Sequence, residues 1–435
     1  MKRTPQLLFK NRRPGETVWL RDYEQTGGYQ GLKKALRELQ PEQLRALVKD
    51  SGLRGRGGAG FPTGVKWSFF PADQPGPKYL ICNCDEMEPG TYKDGELLQA
   101  DPHQLIEGMI IAAYALQTES GYIFIRYAYR EQFDHLRRAL AEATAAGYLG
   151  RNILGSGFSF ELHVHGSAGR YILGEETALL NGLEGKRPNP RSKPPFPAVR
   201  GLFGRPTTVN NVETLANIQH IVNGGAAWFK GLALTAKGAG TKLYGLSGHL
   251  ERTECFELPV GIGLRELIAD YGGGVWRGRN FKSCLPGGAS TPFLSAAELD
   301  VQLDYQTLEA VGSRFGTGCV TVFDDRTCMV AVTLNLTRFF ARESCGWCTP
   351  CRDGLPQVAW LLEKIETGQG TMDDLQLLKS QQRNISGTSF CALADGAMGP
   401  VDGLLRLFEQ ELIDHIQKGA CPFERNQASG LRSQV

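Results

Sequence analysis

Three cysteines separated by two-residue gaps are the clearest chemical signal in the sequence: Cys345, Cys348 and Cys351. Thiolates at these gaps in one loop match the spacing by which iron–sulfur proteins hold a cubane cluster. A structural zinc site usually joins two separated pairs of ligands, and the chain has no second Cys-x-x-Cys pair. The motif therefore favours an iron–sulfur cluster over a zinc ion or inert thiols.

A cubane cluster also needs a fourth ligand from outside this motif. Cys391 is the next cysteine along the chain, and its spacing makes it the preferred candidate. Cys421 is the alternative, because it precedes Pro422 and a Cys-Pro pair ends some ferredoxin motifs. We expect most of the other cysteines to be buried thiols that pack as small hydrophobic side chains.

A glycine-rich segment, Gly55-x-Gly57-x-x-Gly60, has the form of a dinucleotide-binding fingerprint. It precedes the nearest predicted strand instead of following one, so it is not the first turn of a Rossmann unit. Nor is it a P-loop, because the residue after Lys66 is not Ser or Thr. The segment is either a flexible surface turn or a backbone nest for a phosphate, to which Arg56 and Lys66 would add positive charge.

Polar side chains follow the first predicted strand: Asn83, Asp85, Glu86 and Glu88. The carboxyl ends of strands are where α/β sheets bind ligands, so these groups could contact ribose hydroxyls or the edge of a flavin. The alternative is a solvated turn.

Further candidates lie outside that turn. Glu175 and Glu176 open a predicted helix, where the helix dipole favours acidic residues even without a ligand. Phe61, Phe69 and Phe196 stand near the same loops, and core packing is the ordinary role of such side chains.

Alternating strands and helices would position these groups. Hydrophobic periodicity predicts strands at 79–82, 122–125 and 160–165, and helices at 105–116, 133–146 and 175–183. This alternation predicts an α/β layer with a mostly parallel sheet. The Pro- and Arg-rich residues 186–206 predict an ordered loop or linker, and Asn210 with Glu213 has the form of a helix N-cap.

The pattern of predicted secondary structure changes twice after this α/β layer. From about residue 242, short strand-like segments, glycine turns and one helix at 264–271 predict a small α+β domain that ends near residue 325. After residue 330 the chain becomes helical and carries the cysteine motif. Three domains are therefore expected, at 1–240, 241–329 and 330–435.

Composition places the chain among globular proteins. Its 435 residues are 41% hydrophobic and 22% charged, and the net charge of +2 offers no basic surface for nucleic acid. The apolar stretch at 108–116 is far shorter than the ~20 residues of a membrane-spanning helix, and the basic N-terminus leads into no signal-like apolar region. We expect a soluble chain from a reducing compartment, with any membrane association made through partners.

Six segments together resemble the NADH-binding flavoprotein subunit of respiratory complex I, in order from about residue 15 to 425. They are GRGGAGFPTGVKW (55–67), DEMEPGT (85–91), GEETAL (174–179), NPRSKPPFP (189–197), VNNVET (209–214) and ESCGWCTPCR (343–352).

This resemblance implies an architecture and an activity. It implies a Rossmann-like α/β domain that binds FMN and NADH, a ubiquitin-like β-grasp domain, and a C-terminal helical bundle that holds a [4Fe–4S] cluster. The chain would pass a hydride from NADH to FMN and then single electrons through the cluster to a partner and ultimately to quinone. The implied partners are the small thioredoxin-like [2Fe–2S] subunit and the large iron–sulfur subunit of complex I, which would hold it at the cytoplasmic face of the membrane.

Residue roles follow from the resemblance as well. The cluster ligands would be Cys345, Cys348, Cys351 and Cys391, which excludes Cys421. The glycine loop would face the FMN phosphate, Glu88 and Glu176 would contact NADH, and the three phenylalanines would surround the adenine. The complete cofactor-binding set is Gly55, Arg56, Gly57, Gly58, Gly60, Phe61, Lys66, Phe69, Asn83, Asp85, Glu86, Glu88, Tyr171, Gly174, Glu175, Glu176, Phe196, Asn210 and Asn211.

The acidic segments also favour NADH over NADPH. Four glutamates stand there, Glu86, Glu88, Glu175 and Glu176, and no arginine lies within the same segments to receive a 2′-phosphate. The sequence departs from the family at Cys84, where Ala is frequent, and at Leu173, where Cys is frequent. Neither position matches a ligand, so we expect only local packing and thiol sensitivity to differ.

Two other functions are compatible with these residues. The first is the diaphorase subunit of a soluble NAD-linked hydrogenase or formate dehydrogenase, whose chains often carry an added thioredoxin-like or ferredoxin domain. About 50 residues precede the glycine loop here, which favours complex I. The second, of a different class, is a non-enzymatic zinc-binding interaction module.

Overall fold

A parallel sheet carries the strand that leads into the acidic turn. In the computed structural model, which describes residues 5–423, its strands are β1 (Tyr79–Cys84), β2 (Ser120–Ile125), β3 (Glu161–Gly166) and β4 (Thr207–Asn211). They lie in the order β3-β2-β1-β4, and every neighbouring pair is parallel. The strand order reverses between β1 and β4, so a ligand-binding crevice is expected at their carboxyl ends.

Twelve helices accompany this sheet. They are α1 (Leu20–Gln25), α2 (Gln30–Glu38), α3 (Pro41–Asp50), α4 (Thr63–Ser68), α5 (Lys93–Ala100), α6 (Pro102–Leu116), α7 (Arg130–Ala145), α8 (Glu176–Leu183), α9 (Pro197–Arg200), α10 (Val212–Ala216), α11 (Ile218–Gly224) and α12 (Ala226–Lys230). The predicted strands and helices of this part are confirmed to within three residues at each end.

Two local predictions differ from the structure. The predicted loop at 186–206 contains α9, a single turn that begins at Pro197. The N-cap of α10 is Asn211 and not Asn210, since the Asn211 side chain accepts a hydrogen bond from the Glu213 N–H. Asn210 instead accepts a hydrogen bond from the Trp67 indole at 3.1 Å, in the interior.

Helix α6 lies at the centre of the first hydrophobic core. Its residues are buried along almost the whole length, because its side chains are apolar on nearly every face. Its one carboxylate, Glu107, accepts hydrogen bonds from the Tyr23 hydroxyl and from the Tyr29 and Leu32 N–H groups, which ties the N-terminal helices to α6. Within residues 5–423, no helix has both the length and the apolar character to cross a membrane.

A second sheet follows in the chain. Its strands are β5 (Thr241–Gly248), β6 (Cys255–Pro259), β7 (Phe281–Leu285), β8 (Leu294–Ser295) and β9 (Val320–Asp324). They lie in the order β6-β5-β9-β7-β8, and the central pair β5 and β9 is parallel while the other pairs are antiparallel. The predicted helix at 264–271 is confirmed as α13 (Leu264–Glu266), which continues as a π-helical turn over Leu267–Tyr271. Helix α14 (Tyr305–Ala310) precedes β9.

The rest of the described chain is a bundle of helices. They are α15 (Met329–Glu343), α16 (Thr349–Arg352), α17 (Gly354–Glu366), α18 (Met372–Ile385), α19 (Leu393–Leu407) and α20 (Glu409–Lys418). The bundle core also contains Ile172 and Ala178 from the α/β part and Leu285 and Phe293 from the second sheet. All three parts of the chain therefore pack against one another.

The close approach of α6 and α10 requires a glycine at position 108. A β-carbon built on Gly108 would lie 2.0 Å from the carbonyl oxygen of Leu215, a main-chain atom that cannot rotate away. We expect Gly108→Ala to destabilise the protein by about 1–3 kcal/mol and to lower the midpoint of thermal unfolding. Gly166→Ala is the matched control, because the nearest atom to its added carbon lies 4.0 Å away. Equal midpoints for the two variants would contradict this packing argument.

Candidate functional site

The glycine loop is a tight turn held at both ends. The Gly55 N–H donates to the Phe61 carbonyl at 2.8 Å, and the Tyr305 hydroxyl donates to the Gly55 carbonyl at 3.1 Å. Gly60 has a φ of +65°, and a β-carbon there would lie 2.1 Å from the Tyr305 ring. Position 60 therefore tolerates only glycine, and Tyr305 at the start of α14 helps to fix the shape of the loop.

A cavity of about 360 Å³ lies at the carboxyl ends of β1 and β4, beside this loop. Its volume is within the usual range of small-molecule sites. Ten of the predicted residues line it: Gly57, Gly58, Asn83, Asp85, Glu86, Glu88, Tyr171, Gly174, Glu175 and Asn211. The wall is completed by the loops before β8 and β9 and by the start of α19, with residues that include Ser290, Arg314, Thr317, Cys391 and Leu393.

The other predicted cofactor residues are not in the cavity wall. They are Gly55, Arg56, Gly60, Phe61, Lys66, Phe69, Glu176, Phe196 and Asn210. The two positions that depart from the family, Cys84 and Leu173, are buried and do not line the cavity either.

Asp85 brings an unsatisfied polar atom to the cavity. Its Oδ1 accepts a hydrogen bond from the Ser167 hydroxyl at 2.9 Å, but its buried Oδ2 has no partner among the described residues. Burial raises the pKa of Asp85 to about 7, against the opposing effect of Ser167 and Arg126. Buried polar groups are normally hydrogen-bonded, so this oxygen fits the polar edge of a bound ligand.

Two neighbouring amides frame the same wall. The Asn83 side chain donates to the Gly174 carbonyl at 2.9 Å, and Asn211 donates to the Asp94 carboxylate at 2.6 Å. Because Asn83 and Asn211 are paired in register on β1 and β4, these side chains mark the point where the strand order reverses.

Lys93 places a buried positive charge on this wall. Its ammonium lies 2.7 Å from Asp94 Oδ1 and 3.0 Å from Glu213 Oε2. Burial disfavours the ammonium, but Asp94, Glu213 and Glu86 outweigh it and raise the pKa of Lys93 well above its usual value. The lysine therefore stays charged next to the cavity. Sequence reasoning missed Lys93 and Asp94, although they follow the acidic turn directly.

Two of the four glutamates on which the predicted preference for NADH rests have partners within the protein. Glu86 accepts hydrogen bonds from the Asp94 and Gly95 N–H groups at the start of α5, and from the Tyr129 hydroxyl. Glu175 is the N-cap of α8 and accepts from two N–H groups of its first turn. Both carboxylates are therefore engaged at helix starts, and the hypothesis that they repel a 2′-phosphate stays a prediction.

Glu88 joins the acidic turn to the loop between β7 and β8. Its carboxylate accepts hydrogen bonds from the Tyr171 hydroxyl and the Ser290 N–H, both at 2.6 Å. Burial raises the pKa of Glu88, while these two donors and Arg314 oppose the rise. The exposed Arg314 side chain, which comes from a distant segment, donates to the Ser290 carbonyl on the same wall. No local pattern in the sequence pointed to this cation.

Glu176 lies between two lysines. Its carboxylate is 2.9 Å from the Lys66 ammonium and 2.8 Å from that of Lys193. Burial alone would raise the pKa of Glu176, but the two lysines lower it to about 2. Glu176 is therefore ionised at neutral pH mainly because of these lysines, and not because of the helix dipole alone.

Arg56 does not have the orientation that the sequence suggested. Its guanidinium is buried and donates to the carbonyls of Ala239 and Thr241, at 2.8 and 3.0 Å. The expectation that this side chain adds charge directly to a phosphate is wrong, because it holds the glycine loop to the start of β5.

The three phenylalanines near the site are not core residues. Phe61, Phe69 and Phe196 expose 49%, 63% and 58% of their surface. The ordinary expectation of core packing is therefore wrong for all three. Phe69 lies one helical turn after Lys66, and Phe196 lies three residues after Lys193, so both are close in sequence to the lysines that pair with Glu176.

The four predicted cluster ligands come together at the start of the bundle. Cys345, Cys348, Cys351 and Cys391 all line one small cavity, next to Trp347 and Phe390. Cys391 also lines the larger cavity, so the two sites share a wall. Cys421, the alternative ligand, lies elsewhere, with its thiol near Cys328, Glu366 and His415.

Comparison with known proteins agrees with this arrangement. Residues 48–220 match the family model described as the Nuo51 FMN-binding domain, and residues 331–415 match the NADH-ubiquinone oxidoreductase-F iron-sulfur binding region. The chain is similar to a solved NAD⁺-reducing [NiFe]-hydrogenase in the H₂-reduced state, with a TM-score of 0.79 and 36% identity over 90% of this chain. It spans 64% of that hydrogenase chain.

Curated relatives match over nearly their whole length. The F subunit of the NADH-quinone oxidoreductase of Salmonella typhimurium is 50% identical over 414 residues, which cover 94% of this chain and 93% of the relative. The F 2 subunit of the Rhizobium meliloti enzyme is 50% identical over 417 residues, which cover 96% and 99%. The chain therefore belongs to the family of NADH-quinone oxidoreductase F subunits.

Proposed function

We propose that this chain is the NADH-oxidising flavoprotein subunit of a complex I-type NADH-quinone oxidoreductase. The observation that carries the proposal is the wall shared by the two cavities. Because Cys391 lines both, a flavin in one and a cluster in the other would be neighbours. When bound, FMN accepts a hydride from NADH and releases electrons singly, which is the chemistry needed to feed a [4Fe–4S] cluster.

The residues of the larger cavity fit FMN. Glycine backbone at Gly57 and Gly58 offers close approach to a phosphate, and Asp85 and Asn83 offer polar groups to the flavin edge. The buried Lys93 ammonium would stabilise negative charge that develops on the reduced flavin. No side chain acts as a nucleophile or general base in this function; the protein binds, orients and supplies charge.

NADH would enter between the cavity and the exposed aromatic residues. Glu88 and Glu176 are the carboxylates that the resemblance assigns to NADH, and they would accept hydrogen bonds from its ribose hydroxyls. Glu86 and Glu175 accept backbone N–H groups at helix starts. Phe61, Phe69 and Phe196 offer exposed ring faces for stacking on adenine. Tyr171, hydrogen-bonded to Glu88, would keep that carboxylate oriented.

The domain boundaries 1–240, 241–329 and 330–435 belong to this proposal. The order β6-β5-β9-β7-β8, with its parallel central pair, supports a β-grasp fold for the middle domain. The partners would be the small thioredoxin-like [2Fe–2S] subunit and the large iron–sulfur subunit of complex I, which would hold the chain at the cytoplasmic face of the membrane.

A second candidate function is the diaphorase subunit of a soluble NAD-linked hydrogenase. The structural likeness to the NAD⁺-reducing [NiFe]-hydrogenase favours this candidate. Identification of the proteins that co-purify with the native chain separates the two: quinone-reactive membrane subunits support complex I, and a hydrogenase subunit supports the second candidate. A non-enzymatic zinc module is set aside, because the chain belongs to an oxidoreductase family.

The identity of the flavin tests the larger cavity. Acid denaturation of the holoprotein should release FMN, because the glycine loop suits one terminal phosphate and the adenine position is needed by NADH. Chromatography of the supernatant measures it. FAD, or no flavin at all, would contradict the assignment of this cavity.

The fourth cluster ligand is tested with a matched pair of cysteine variants. Cys391→Ala should abolish the EPR signal of the reduced [4Fe–4S] cluster, because Cys391 lines the cysteine cavity with the other three thiols. FMN should stay bound, because the polar groups proposed to hold it belong to other residues of the larger cavity. Cys421→Ala should keep the signal, since Cys421 lies with a different set of residues. The reverse pattern would contradict the proposed ligand set.

The preference for NADH is tested at Glu176. Glu176→Gln removes a repulsion toward a 2′-phosphate of about 1–3 kcal/mol, so the NADPH/NADH ratio of kcat/KM should rise roughly 5- to 150-fold. The freed Lys66 and Lys193 act in the same direction. Ferricyanide reduction measures kcat/KM with NADH and with NADPH. Glu161→Gln, an equal change of charge at the opposite end of the sheet, is the control. A ratio equal to that of the control would assign the discrimination to another residue.

A further inference from the structure

A set of potential metal ligands lies outside the two cavities. The thiols of Cys328 and Cys421, a carboxylate oxygen of Glu366 and an imidazole nitrogen of His415 all lie within 4.8 Å of one another. None of the four lines the flavin cavity or the cysteine cavity. We propose that these side chains bind one structural Zn²⁺ ion.

The ligand types and spacing fit a four-coordinate zinc ion. Zn²⁺ takes thiolate, imidazole and carboxylate ligands, with bonds of about 2.3 Å to sulfur and about 2.0–2.1 Å to nitrogen or oxygen. A tetrahedron of such bonds has edges of roughly 3.3–3.8 Å. The Cys328 thiol lies 3.2 Å from Glu366 Oε2 and 3.4 Å from His415 Nε2, and these last two atoms are 3.0 Å apart. Small outward shifts of these side chains would lengthen the distances between ligand atoms to those of a zinc tetrahedron.

The orientation of His415 supports the same conclusion. Its Nδ1 lies 2.6 Å from the Glu411 carbonyl oxygen and donates to it, so Nε2, which faces Cys328 and Glu366, is the nitrogen left to bind a metal. Metal-binding histidines almost always donate their other ring N–H in this way, which fixes the tautomer. The His415 side chain is fully buried, and that of Glu366 is only 12% exposed, so the site excludes most water.

The position of the ligands indicates a structural role. Cys328 caps the start of α15, Glu366 ends α17, His415 lies in α20, and Cys421 follows α20. One ion at this point would fasten the segment after α20 to two other helices. Cys345 lies beyond the other end of α15, whose 15 residues span about 22 Å. The proposed zinc site and the cluster motif are therefore separate sites.

Metal analysis of the full-length holoprotein, purified without oxygen or chelators, tests the proposal. We expect about one zinc per chain together with about four iron atoms. Cys421→Ser and His415→Gln should each lose the zinc and keep FMN and iron. Cys284→Ala, a buried cysteine in β7, is the matched control and should keep all three.

Two results would overturn the proposal. One is the absence of zinc from protein produced in zinc-supplemented medium. The other is zinc that persists in Cys421→Ser but disappears in Cys348→Ala, because that ion would occupy the cluster site.

Zinc K-edge X-ray absorption of the unaltered holoprotein gives a test that does not depend on how the variants fold. The expected first shell has two sulfurs at about 2.3 Å and two nitrogen or oxygen atoms at about 2.0–2.1 Å. A shell without sulfur, or one with three or four sulfurs, would exclude this set of ligands.

Discussion

The buried carboxylate of Glu213 is the interaction on which the rest of the structure depends. It lies 3.0 Å from the Lys93 ammonium and 3.4 Å from that of Lys242, and it accepts the N–H of Leu243. Burial would raise the pKa of Glu213, but Lys242, Lys93 and Arg56 lower it. Removal of one partner would leave a buried charge unpaired, at a cost of about 3–5 kcal/mol. One carboxylate on α10 thus connects α5 to β5, that is, the α/β part of the chain to the second sheet.

This connection explains how a positive charge is held in a fixed position at the cavity wall. Lys93 is held between Asp94 and Glu213, so its ammonium cannot turn away from the wall that Asn211 completes. A preorganised charge stabilises developing negative charge without the reorganisation that water would need. Arg56 acts indirectly, because its hydrogen bonds to the carbonyls of Ala239 and Thr241 hold the glycine loop in place. The arrangement suits a site whose chemistry belongs to a cofactor and whose protein groups stay in place.

The sequence predicted the local parts of this structure and missed those that depend on tertiary contact. The strands, the helices and the cysteine gaps follow from periodicity and spacing, which are properties of neighbouring residues. The roles of Glu86 and Glu175 did not follow, because a carboxylate near a helix start can cap it or face a ligand with the same local sequence. Arg314, whose charge lowers the pKa of Glu88, comes from a distant segment, so no local pattern could indicate it.

The two thiol clusters of the bundle also differ in whether the sequence alone could indicate them. Cys345, Cys348 and Cys351 are close in sequence, so their spacing alone indicates metal chemistry before any fold is known. Cys328 and Cys421 are far apart in sequence and meet only because α15 and α20 pack in one bundle. An ion bound by such dispersed ligands binds the folded state and not the unfolded chain, so it stabilises the fold by mass action. The sequence motif therefore predicts the proposed cluster site, while a metal that fastens the bundle would be recognisable only from the structure.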